Sequence, residues 1–353
     1  MTNCWINKGA RLRDAVATIE KARKTISVVL DSHRKVMGTI SDGDIRRALL
    51  AGFSLDDDVS VALNKEPVTA KSSFSDKFCL NLIQSHGLEA VPVTDDDGVY
   101  QYTLHLNDLA TNSCPEHVSE YGAAVIMAGG EGRRLRPITN NIPKPMVRID
   151  DVPLIELQVK RLVKAGIKKI FVSVNYLSHV IEEHLSDGSQ FGASISYLKE
   201  DKKLGTAGAL SLVEDPPDKP ILVINGDVFT KVDLGNLVKF HLDLGSMMTV
   251  AAVEYNVNIP YGVIRAEGSS VKALEEKPSQ RFLCNAGIYV ISKETFGKIP
   301  YNEYFDITEL IEKFIGVENG VSVFPVHEYW ADIGSPLDLE RIRNEIKTNN
   351  CLN

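Results

Sequence analysis

The chain has 353 residues, of which 44% are hydrophobic and 24% are charged, and this average composition excludes disordered and fibrous proteins. The length predicts two domains. The formal net charge of −8 disfavours nucleic acid as a partner, because most of the surface repels a polyanion.

Membrane insertion and secretion are also disfavoured. The sequence has no run approaching the roughly 18 consecutive apolar residues of a membrane helix, and its start lacks the apolar segment of a secretory signal. The five cysteines form no CxxC pair, which argues against a disulfide framework and a zinc cluster. We therefore expect a cytoplasmic protein with reduced thiols and no membrane partner.

The first part of the chain contains a faint internal repeat. Residues 26–49 and 90–111 each show an apolar strand, an acidic turn, a second strand and a helix start. Asp44 and Asp108 occupy equivalent places 64 residues apart. An amphipathic segment precedes each copy, so the pattern predicts a duplicated β-α-β-β-α unit.

The segment "GTISDGD" (38–44) makes residues 1–115 resemble a tandem pair of CBS domains, an α+β arrangement. The resemblance implies that Ser41 and Asp44 supply a hydroxyl and a carboxylate to the ribose of an adenine nucleotide. Such a nucleotide would act as an effector. Helix capping alone explains Ser41 and Asp44 equally well, since both residue types satisfy free N–H groups at a helix start.

The second copy matches this pattern less well. Tyr102 and His105 stand where the glycine and the hydroxyl belong, and only Asp108 agrees with the pattern. We therefore expect a weaker site, or none, in the second copy. CBS pairs usually associate, so the resemblance also implies a homo-oligomer.

A polar, aperiodic segment separates this region from the rest of the chain. It carries Pro115 and is typical of a linker. We place the linker at residues 116–121 and a catalytic domain at residues 122–353. From Ala123 onward, short apolar runs rich in Val and Ile alternate with helical patterns. This alternation predicts a Rossmann-like, mostly parallel α/β sheet with ligands at the carboxyl ends of its strands.

The segment "GGEGRRLRP" (129–137) follows the first strand of this domain. It is neither a Walker A loop nor GxGxxG, which also argues against a dinucleotide-dependent oxidoreductase. Its glycines can turn several backbone N–H groups toward one anion. Its arginines, together with Lys144 between two prolines, supply cations that match phosphate oxygens. The segment predicts a polyphosphate site that involves Gly129, Gly130, Gly132, Arg133, Arg134, Arg136 and Lys144.

Two aspartates are candidates for a metal site. Asp227 ends the apolar run "ILVING", and Asp332 ends an apolar segment before a glycine. Mg²⁺ is usually held by one or two carboxylates together with phosphate oxygens. A single Asp in such a place is more often a cap or turn residue, but two of them beside a phosphate site favour a metal.

Eight blocks in the same order make residues 122–345 resemble the sugar-phosphate nucleotidyltransferase family, whose fold is nucleotidyltransferase type A-like. The blocks are "MAGGEGRRLRP", "PKPM", "LGTAGAL", "NGDVF", "YGVI", "EEKP", "NAGIYV" and "WADIGSP". The resemblance implies that a sugar 1-phosphate attacks the α-phosphorus of a nucleoside triphosphate. A nucleotide sugar and pyrophosphate result.

The resemblance also implies residue roles. Arg134 and Lys144 are catalytic, and Asp227 and Asp332 bind Mg²⁺. The remaining implied contacts are Ala128, Gly129, Gly130, Gly132, Arg134, Gly205, Thr206 and Asp227 for the nucleotide, and Tyr261, Gly262, Glu276, Lys277 and Asn285 for the sugar phosphate. Two structural alternatives stay open. In the first, Thr206 serves only as a helix N-cap, and in the second, Glu276 is only a solvated surface charge.

The block "LGTAG" is more similar to guanylyltransferases than to the thymidylyl or uridylyl branches. A CBS pair ahead of such a domain resembles the glucosamine-1-phosphate guanylyltransferases of legionaminic acid synthesis. We therefore expect GTP, with glucosamine 1-phosphate ahead of mannose 1-phosphate. One alternative is a non-catalytic sensor of nucleotides or nucleotide sugars that uses the CBS pair, and the intact Arg134, Lys144, Asp227 and Asp332 argue against it. The other alternative is a transferase that uses another base or another sugar.

Overall fold

The computed structural model describes residues 4–22, 25–106 and 119–349. The chain forms two compact units, Met1–Pro115 and Glu116–Asn353. Across the described ranges, every helix is too short or too polar to cross a bilayer.

Two three-stranded sheets form the first unit, with the same strand order and pairing directions. In each, the first strand is parallel to the second and the second is antiparallel to the third. The first half contains β1 (Trp5–Asn7), α1 (Leu12–Ala22), β2 (Ile26–Leu30), β3 (Val36–Ser41) and α2 (Asp42–Leu50). The second half contains β4 (Ala70–Lys71), α3 (Asp76–Ser85), β5 (Ala90–Thr94) and β6 (Tyr100–His105). Asp108 lies outside the described residues.

A seven-stranded sheet organises the second unit. Its order is β11-β10-β7-β12-β17-β14-β18, and every strand is parallel to β7 except β17, which is antiparallel to both of its neighbours. The strands are β7 (Ala123–Met127), β10 (Lys169–Val174), β11 (Ser194–Lys199), β12 (Ile221–Asn225), β14 (Met248–Asn258), β17 (Ser279–Ile291) and β18 (Val321–Val326). The prediction of a mostly parallel α/β sheet is confirmed.

Helices cover both faces of this sheet because its apolar residues alternate between two cores. Ala124 and Ile126 of β7 pack on one side, while Ala123 and Val125 pack on the other. The first core includes α4 (Leu154–Lys164), α5 (Ser178–Leu185) and α7 (Leu234–Leu244), and the second includes α6 (Gly205–Gly208) and α8 (Ile307–Phe314). Tyr121, which the sequence places in the linker, is buried in the first core and donates to Leu234 O at 2.9 Å.

The remaining elements lie outside the main sheet. β13 (Val228–Thr230) pairs with β19 (Trp330–Asp332), and β15 (Val263–Glu267) pairs with β16 (Ser270–Glu275). The other elements are β8 (Arg148–Ile149), β9 (Val152–Pro153) and α9 (Pro336–Asn349). The carboxyl ends of β7, β10, β11 and β12 lie side by side, and the loops that follow them form the candidate site.

Candidate functional site

The glycine loop (residues 128–132) follows β7 and passes close to neighbouring side chains. A Cβ on Gly129 would lie 2.9 Å from Glu200 Oε1, whereas a Cβ on Gly130 would meet no atom within 4 Å. Gly132 has φ +64°, and a Cβ on it would lie 3.0 Å from Lys144 Cβ. Backbone conformation and packing therefore favour glycine at 132, while a side chain at 129 would have to displace the Glu200 carboxylate. The open space at Gly130 leaves the backbone accessible to a ligand.

Pairing between β13 and β19 brings the two predicted metal-binding aspartates together. Val228 is the register partner of Asp332, and Ile333 N donates to Asp227 O at 3.0 Å. Asp227 and Asp332 are 105 positions apart in the sequence, but they lie at the same edge of the sheet.

Two predicted cations lie beside these carboxylates. Lys144 Nζ donates to Asp227 Oδ2 and lies 4.0 Å from Asp332 Oδ1. A Cβ built on Gly334 would lie 3.1 Å from Asp332 Oδ2 and 3.6 Å from Arg134 Nη1. The structure thus brings Arg134, Lys144, Asp227 and Asp332 to one place. Arg133 differs, because it forms an exposed ion pair with Glu131, with Nε 2.6 Å from Oε2.

Asp332 is partly buried beside another carboxylate and two cations. Burial, and then the nearby Asp227 carboxylate, raise the pKa of Asp332 to about 6, while Lys144 and Arg134 oppose that shift. Asp332 Oδ1 is buried and has no hydrogen-bond partner among the described residues. Two adjacent carboxylates, one with an unsatisfied buried oxygen, form a donor set that fits a hard divalent cation.

A cleft of about 360 Å³ opens at this edge of the sheet. Six predicted site residues line it, namely Gly129, Gly130, Lys144, Gly205, Thr206 and Asp227. Further lining residues that the sequence analysis missed are Ser173, Glu200, Lys203, Asn225, Tyr304 and Asp306. Polar groups therefore converge on a concave surface that also exposes part of the glycine loop.

Glu200 is the most informative of the missed residues. It follows β11 directly, and its two carboxylate oxygens accept hydrogen bonds from Ser173 Oγ and from Leu204 N, the latter at 2.9 Å. Each carboxylate oxygen has a second acceptor site. The side chain is therefore fixed in orientation and retains acceptor capacity in the cleft. Its place after a strand at the ligand edge is the signal that could have identified it.

Residues 303–306 form a strap that holds the segment "LGTAG". Phe305 N donates to Leu204 O at 2.8 Å, and Gly208 N donates to Phe305 O at 2.7 Å. Thr206 N donates to Asp306 Oδ1 at 3.2 Å. Gly205 has φ +76°, and a Cβ there would lie 2.7 Å from Asp306 Oδ1. Only glycine therefore allows the loop to approach the strap this closely.

The Thr206 hydroxyl accepts a hydrogen bond from Ile307 N at 2.9 Å. It therefore satisfies an N–H at the start of α8, while α6, which contains Thr206, has no side-chain cap. The alternative in which Thr206 caps its own helix is wrong. A nucleobase contact at Gly205 and Thr206 stays a prediction.

The five predicted sugar-phosphate residues lie around β15–β16 and β17, and this cleft's lining does not include them. A Cβ on Gly262 would lie 3.0 Å from Glu276 Oε2, so these two positions adjoin. Tyr261 is 75% exposed, and Lys277 has φ +46°. Asn285 Oδ1 accepts a hydrogen bond from Gly287 N at 2.9 Å. The sugar-phosphate role of these five residues stays a prediction.

In the first unit, Ser41 and Asp44 form a complete capping box at the start of α2. Asp44 N donates to Ser41 Oγ at 3.2 Å, and Ser41 N donates to Asp44 Oδ2 at 2.8 Å. Arg47 pairs with the other carboxylate oxygen of Asp44. The capping interpretation is present in the structure, and the nucleotide interpretation stays a prediction.

Comparison with known families supports the nucleotidyltransferase resemblance and one CBS domain, and the second CBS copy stays a prediction. A family model described as nucleotidyl transferase matches residues 123–349, and one described as CBS domain matches residues 2–51. The catalytic-domain resemblance and the presence of a CBS domain in the first unit are confirmed.

Individual relatives are similar over part of the chain. The mannose-1-phosphate guanylyltransferase catalytic subunit beta of Danio rerio is 33% identical over 224 residues, which is 61% of this chain and 62% of that protein. The chain therefore spans less than two thirds of that relative's length.

Two solved structures extend the comparison. HddC from Yersinia pseudotuberculosis, solved in complex with GMP-PN, has a TM-score of 0.51 and 27% identity, covering 64% of this chain and 99% of its own. A putative glucose-1-phosphate thymidylyltransferase from Bacillus anthracis has a TM-score of 0.50 and 26% identity, covering 63% and 94%.

Proposed function

The chain belongs to the nucleotidyl transferase family, and from this premise we propose that it transfers a nucleotidyl group from GTP to a sugar 1-phosphate. The observation that carries the proposal is the convergence of Lys144, Asp227 and the glycine loop on one cleft, with Asp332 beside them. Such a site combines anion-binding backbone, a cation and metal-competent carboxylates, which are the requirements of phosphoryl chemistry.

The reaction needs alignment and charge neutralisation more than proton transfer. A phosphate oxygen of the sugar 1-phosphate forms a bond to the α-phosphorus, and the bond from that phosphorus to the α,β-bridging oxygen breaks. Pyrophosphate leaves with the electron pair, and no proton has to move. Positioning of two bound reactants can supply roughly 7–11 kcal/mol of the barrier. Arg134 and Lys144 would neutralise charge on the triphosphate and on the departing pyrophosphate.

A divalent cation, proposed as Mg²⁺, would be held by Asp227 and Asp332. Support comes from the buried Oδ1 of Asp332, for which the described part of the chain supplies no hydrogen-bond partner, and from the Asp227 carboxylate beside it. When bound, the cation supplies charge neutralisation for the phosphate groups.

The proposal of GTP as donor is supported by Glu200. Guanine presents two donors, N1–H and N2–H₂, along one edge, and a carboxylate accepts both. Uracil and thymine present one N–H flanked by two carbonyl oxygens, which a carboxylate repels. A site that pairs with specific donors discriminates strongly against bases that lack them. Ser173 and Leu204 would hold Glu200 in the orientation that this contact needs.

For the acceptor we propose glucosamine 1-phosphate, ahead of mannose 1-phosphate. Its support is the combination of a CBS domain with a guanylyltransferase-like domain, which suggests nucleotide-sugar synthesis leading to legionaminic acid. The relative named above carries mannose 1-phosphate in its name, so this sugar is the second candidate. Tyr261, Gly262, Glu276, Lys277 and Asn285 would form the sugar-phosphate side of the site.

A pyrophosphate-release assay tests this function. The full chain is combined with GTP, ATP, UTP or dTTP and with each of the two sugar 1-phosphates. We expect turnover with GTP, abolished by Asp227→Ala and retained by Asp218→Ala, a matched change at an exposed aspartate that pairs with Lys293. Full turnover by Asp227→Ala would contradict the metal role, and turnover with UTP alone would overturn the choice of guanine.

For the first unit we propose an adenine-nucleotide effector bound near Ser41 and Asp44. These side chains begin α2 and have polar atoms that a ribose could share. Calorimetry on the full chain with AMP, ADP and ATP tests the idea, with Asp44→Ala as the weakened variant. An absence of heat with all three nucleotides would remove it. Assembly into a homo-oligomer is proposed on the CBS resemblance and is measured by light scattering.

A further inference from the structure

Lys144, the lysine predicted to bind phosphate, lies mostly buried beside two carboxylates. Its side chain is only 12% exposed and its ammonium donates to Asp227, which is itself 25% exposed. The same ammonium lies 4.0 Å from Asp332 Oδ1. The lysine begins a short 3-10 helix, Lys144–Met146, directly after Pro143. The Lys144 ammonium, the predicted cation of the phosphate site, is therefore bound in this structure to the proposed metal ligands.

We propose that Lys144 is an exchangeable counter-ion: in the ligand-free protein its ammonium occupies the carboxylates of Asp227 and Asp332, and it moves to the triphosphate when a divalent cation takes them. This inference rests on the proposed function, because it needs a cation and a triphosphate in the same cleft. It adds a coupling between the two ligands that the proposed function does not require.

The charges of the two aspartates explain why a counter-ion is needed. Two adjacent carboxylates without a counter-ion would repel each other in a partly buried site. The Lys144 ammonium and the nearby Arg134 guanidinium relieve only part of that repulsion, since Asp332 Oδ1 keeps no hydrogen-bond partner among the described residues. A divalent cation can satisfy both carboxylates. The lysine therefore stabilises the carboxylate pair less completely than the cation would.

The geometry of the cleft also allows the Lys144 ammonium to bind a triphosphate. Lys144 and Asp227 line the same cleft as Gly129 and Gly130, whose backbone would face the triphosphate. Lysine carries its charge on a flexible four-carbon stem, so the ammonium can change partners while Pro143 and Pro145 hold the backbone. If the cation arrives alone, the lysine loses its partner. If it arrives with a triphosphate, the lysine gains a new one, so the two ligands bind cooperatively.

Loss of the ammonium should therefore have opposite effects on two affinities. In Lys144→Met the carboxylates are unblocked, so Mn²⁺ alone should bind about tenfold tighter, which is the worth of about 1.4 kcal/mol of ion pairing. In the same variant Mn²⁺–GTP should bind about tenfold more weakly, since the phosphates lose a cation. A lysine with a purely structural role would not tighten the binding of Mn²⁺.

The experiment measures free Mn²⁺ by electron paramagnetic resonance, with and without GTP and without a sugar phosphate. Lys144→Arg keeps the charge and should stay near wild type for Mn²⁺ alone. Lys203→Met removes a charge from the same cleft without unblocking the aspartates, and it should change Mn²⁺ binding less than twofold. If Lys144→Met does not fold, Lys144→Gln makes the same test. The rise in melting temperature on adding Mn²⁺ should be larger in the neutral variant than in wild type.

The outcomes separate this inference from the proposed function. Tighter Mn²⁺ binding together with weaker Mn²⁺–GTP binding supports the exchange. Wild-type protein that binds Mn²⁺–GTP, combined with a Lys144→Met variant that binds Mn²⁺ no tighter than wild type, overturns the exchange alone. Wild-type protein that binds no Mn²⁺ even with GTP overturns both this inference and the proposed metal site.

Discussion

Glu200→Gln should change the choice of base while leaving the cleft intact. The carboxamide has the shape of the carboxylate, and the Ser173 hydroxyl can turn to accept from its nitrogen while Leu204 N keeps an oxygen acceptor. One of the two acceptors offered to guanine is then replaced by a donor. Losing one charge-assisted hydrogen bond costs about 1.5–3 kcal/mol, so kcat/KM for GTP should fall roughly 10- to 150-fold.

The same substitution should favour uracil, because a carboxamide can donate to a base carbonyl and accept from the adjacent N–H. The assay is kcat/KM for GTP and for UTP with one fixed sugar 1-phosphate. Glu182→Gln is the matched control, since Glu182 pairs with Lys199 at 2.8 Å and does not line the cleft. An unchanged ratio of GTP to UTP in Glu200→Gln would refute the reasoning that Glu200 recognises the base.

Other substitutions test the strap and the core. Asp306→Ala removes the acceptor of Thr206 N, so KM for GTP should rise several-fold with a smaller change in kcat, measured by initial rates, and an unchanged KM would contradict a positioning role. Burial lowers the pKa of His241 to about 4, where its ring contacts the hydroxyls of Thr249 and Ser292, each at 2.9 Å. Because the unfolded chain protonates this histidine below about pH 6.5 and the folded chain only near pH 4, the contribution of the neutral ring to the free energy of unfolding is complete above pH 6.5. That contribution is lost as the pH falls from 6.5 toward 4. Urea unfolding should therefore show a loss of about 2 kcal/mol between pH 7 and pH 5. In His241→Asn the decrease in the free energy of unfolding between pH 7 and pH 5 should be smaller by about 2 kcal/mol. An equal decrease in the variant and in wild type would contradict a lowered pKa at His241.

Local sequence patterns predicted those parts of the site that are formed by residues close together in the sequence. A glycine-rich segment after an apolar strand, and an aspartate after another, identify the carboxyl edge of a parallel sheet without further information. The apolar segment before Asp332 also made this residue a candidate, but its approach to Asp227 depends on the pairing of β13 with β19. No local rule predicts a pairing between segments about 100 residues apart.

Asp306, one of the residues that the sequence analysis missed, has a sequence pattern that indicates only a structural role. Asp306 has the pattern of a helix N-cap, and it does form a capping box with Glu309. Its contact with Thr206 N appears only when α8 packs beside α6. The sequence also does not give the direction of β17, because the continuous apolar run at its end is typical of any strand that is buried on both faces. The antiparallel insertion of β17 between β12 and β14 therefore emerges only from the assembled sheet.

The central claim is that one cleft brings a triphosphate and a divalent cation together at Asp227 and Asp332. Crystals grown with Mn²⁺ and GTP, measured at the manganese absorption edge, test it most directly. The account predicts an anomalous peak bonded to both carboxylates and to phosphate oxygens that lie against the glycine loop. A peak bonded to neither aspartate, or a triphosphate bound away from residues 128–132, would contradict it.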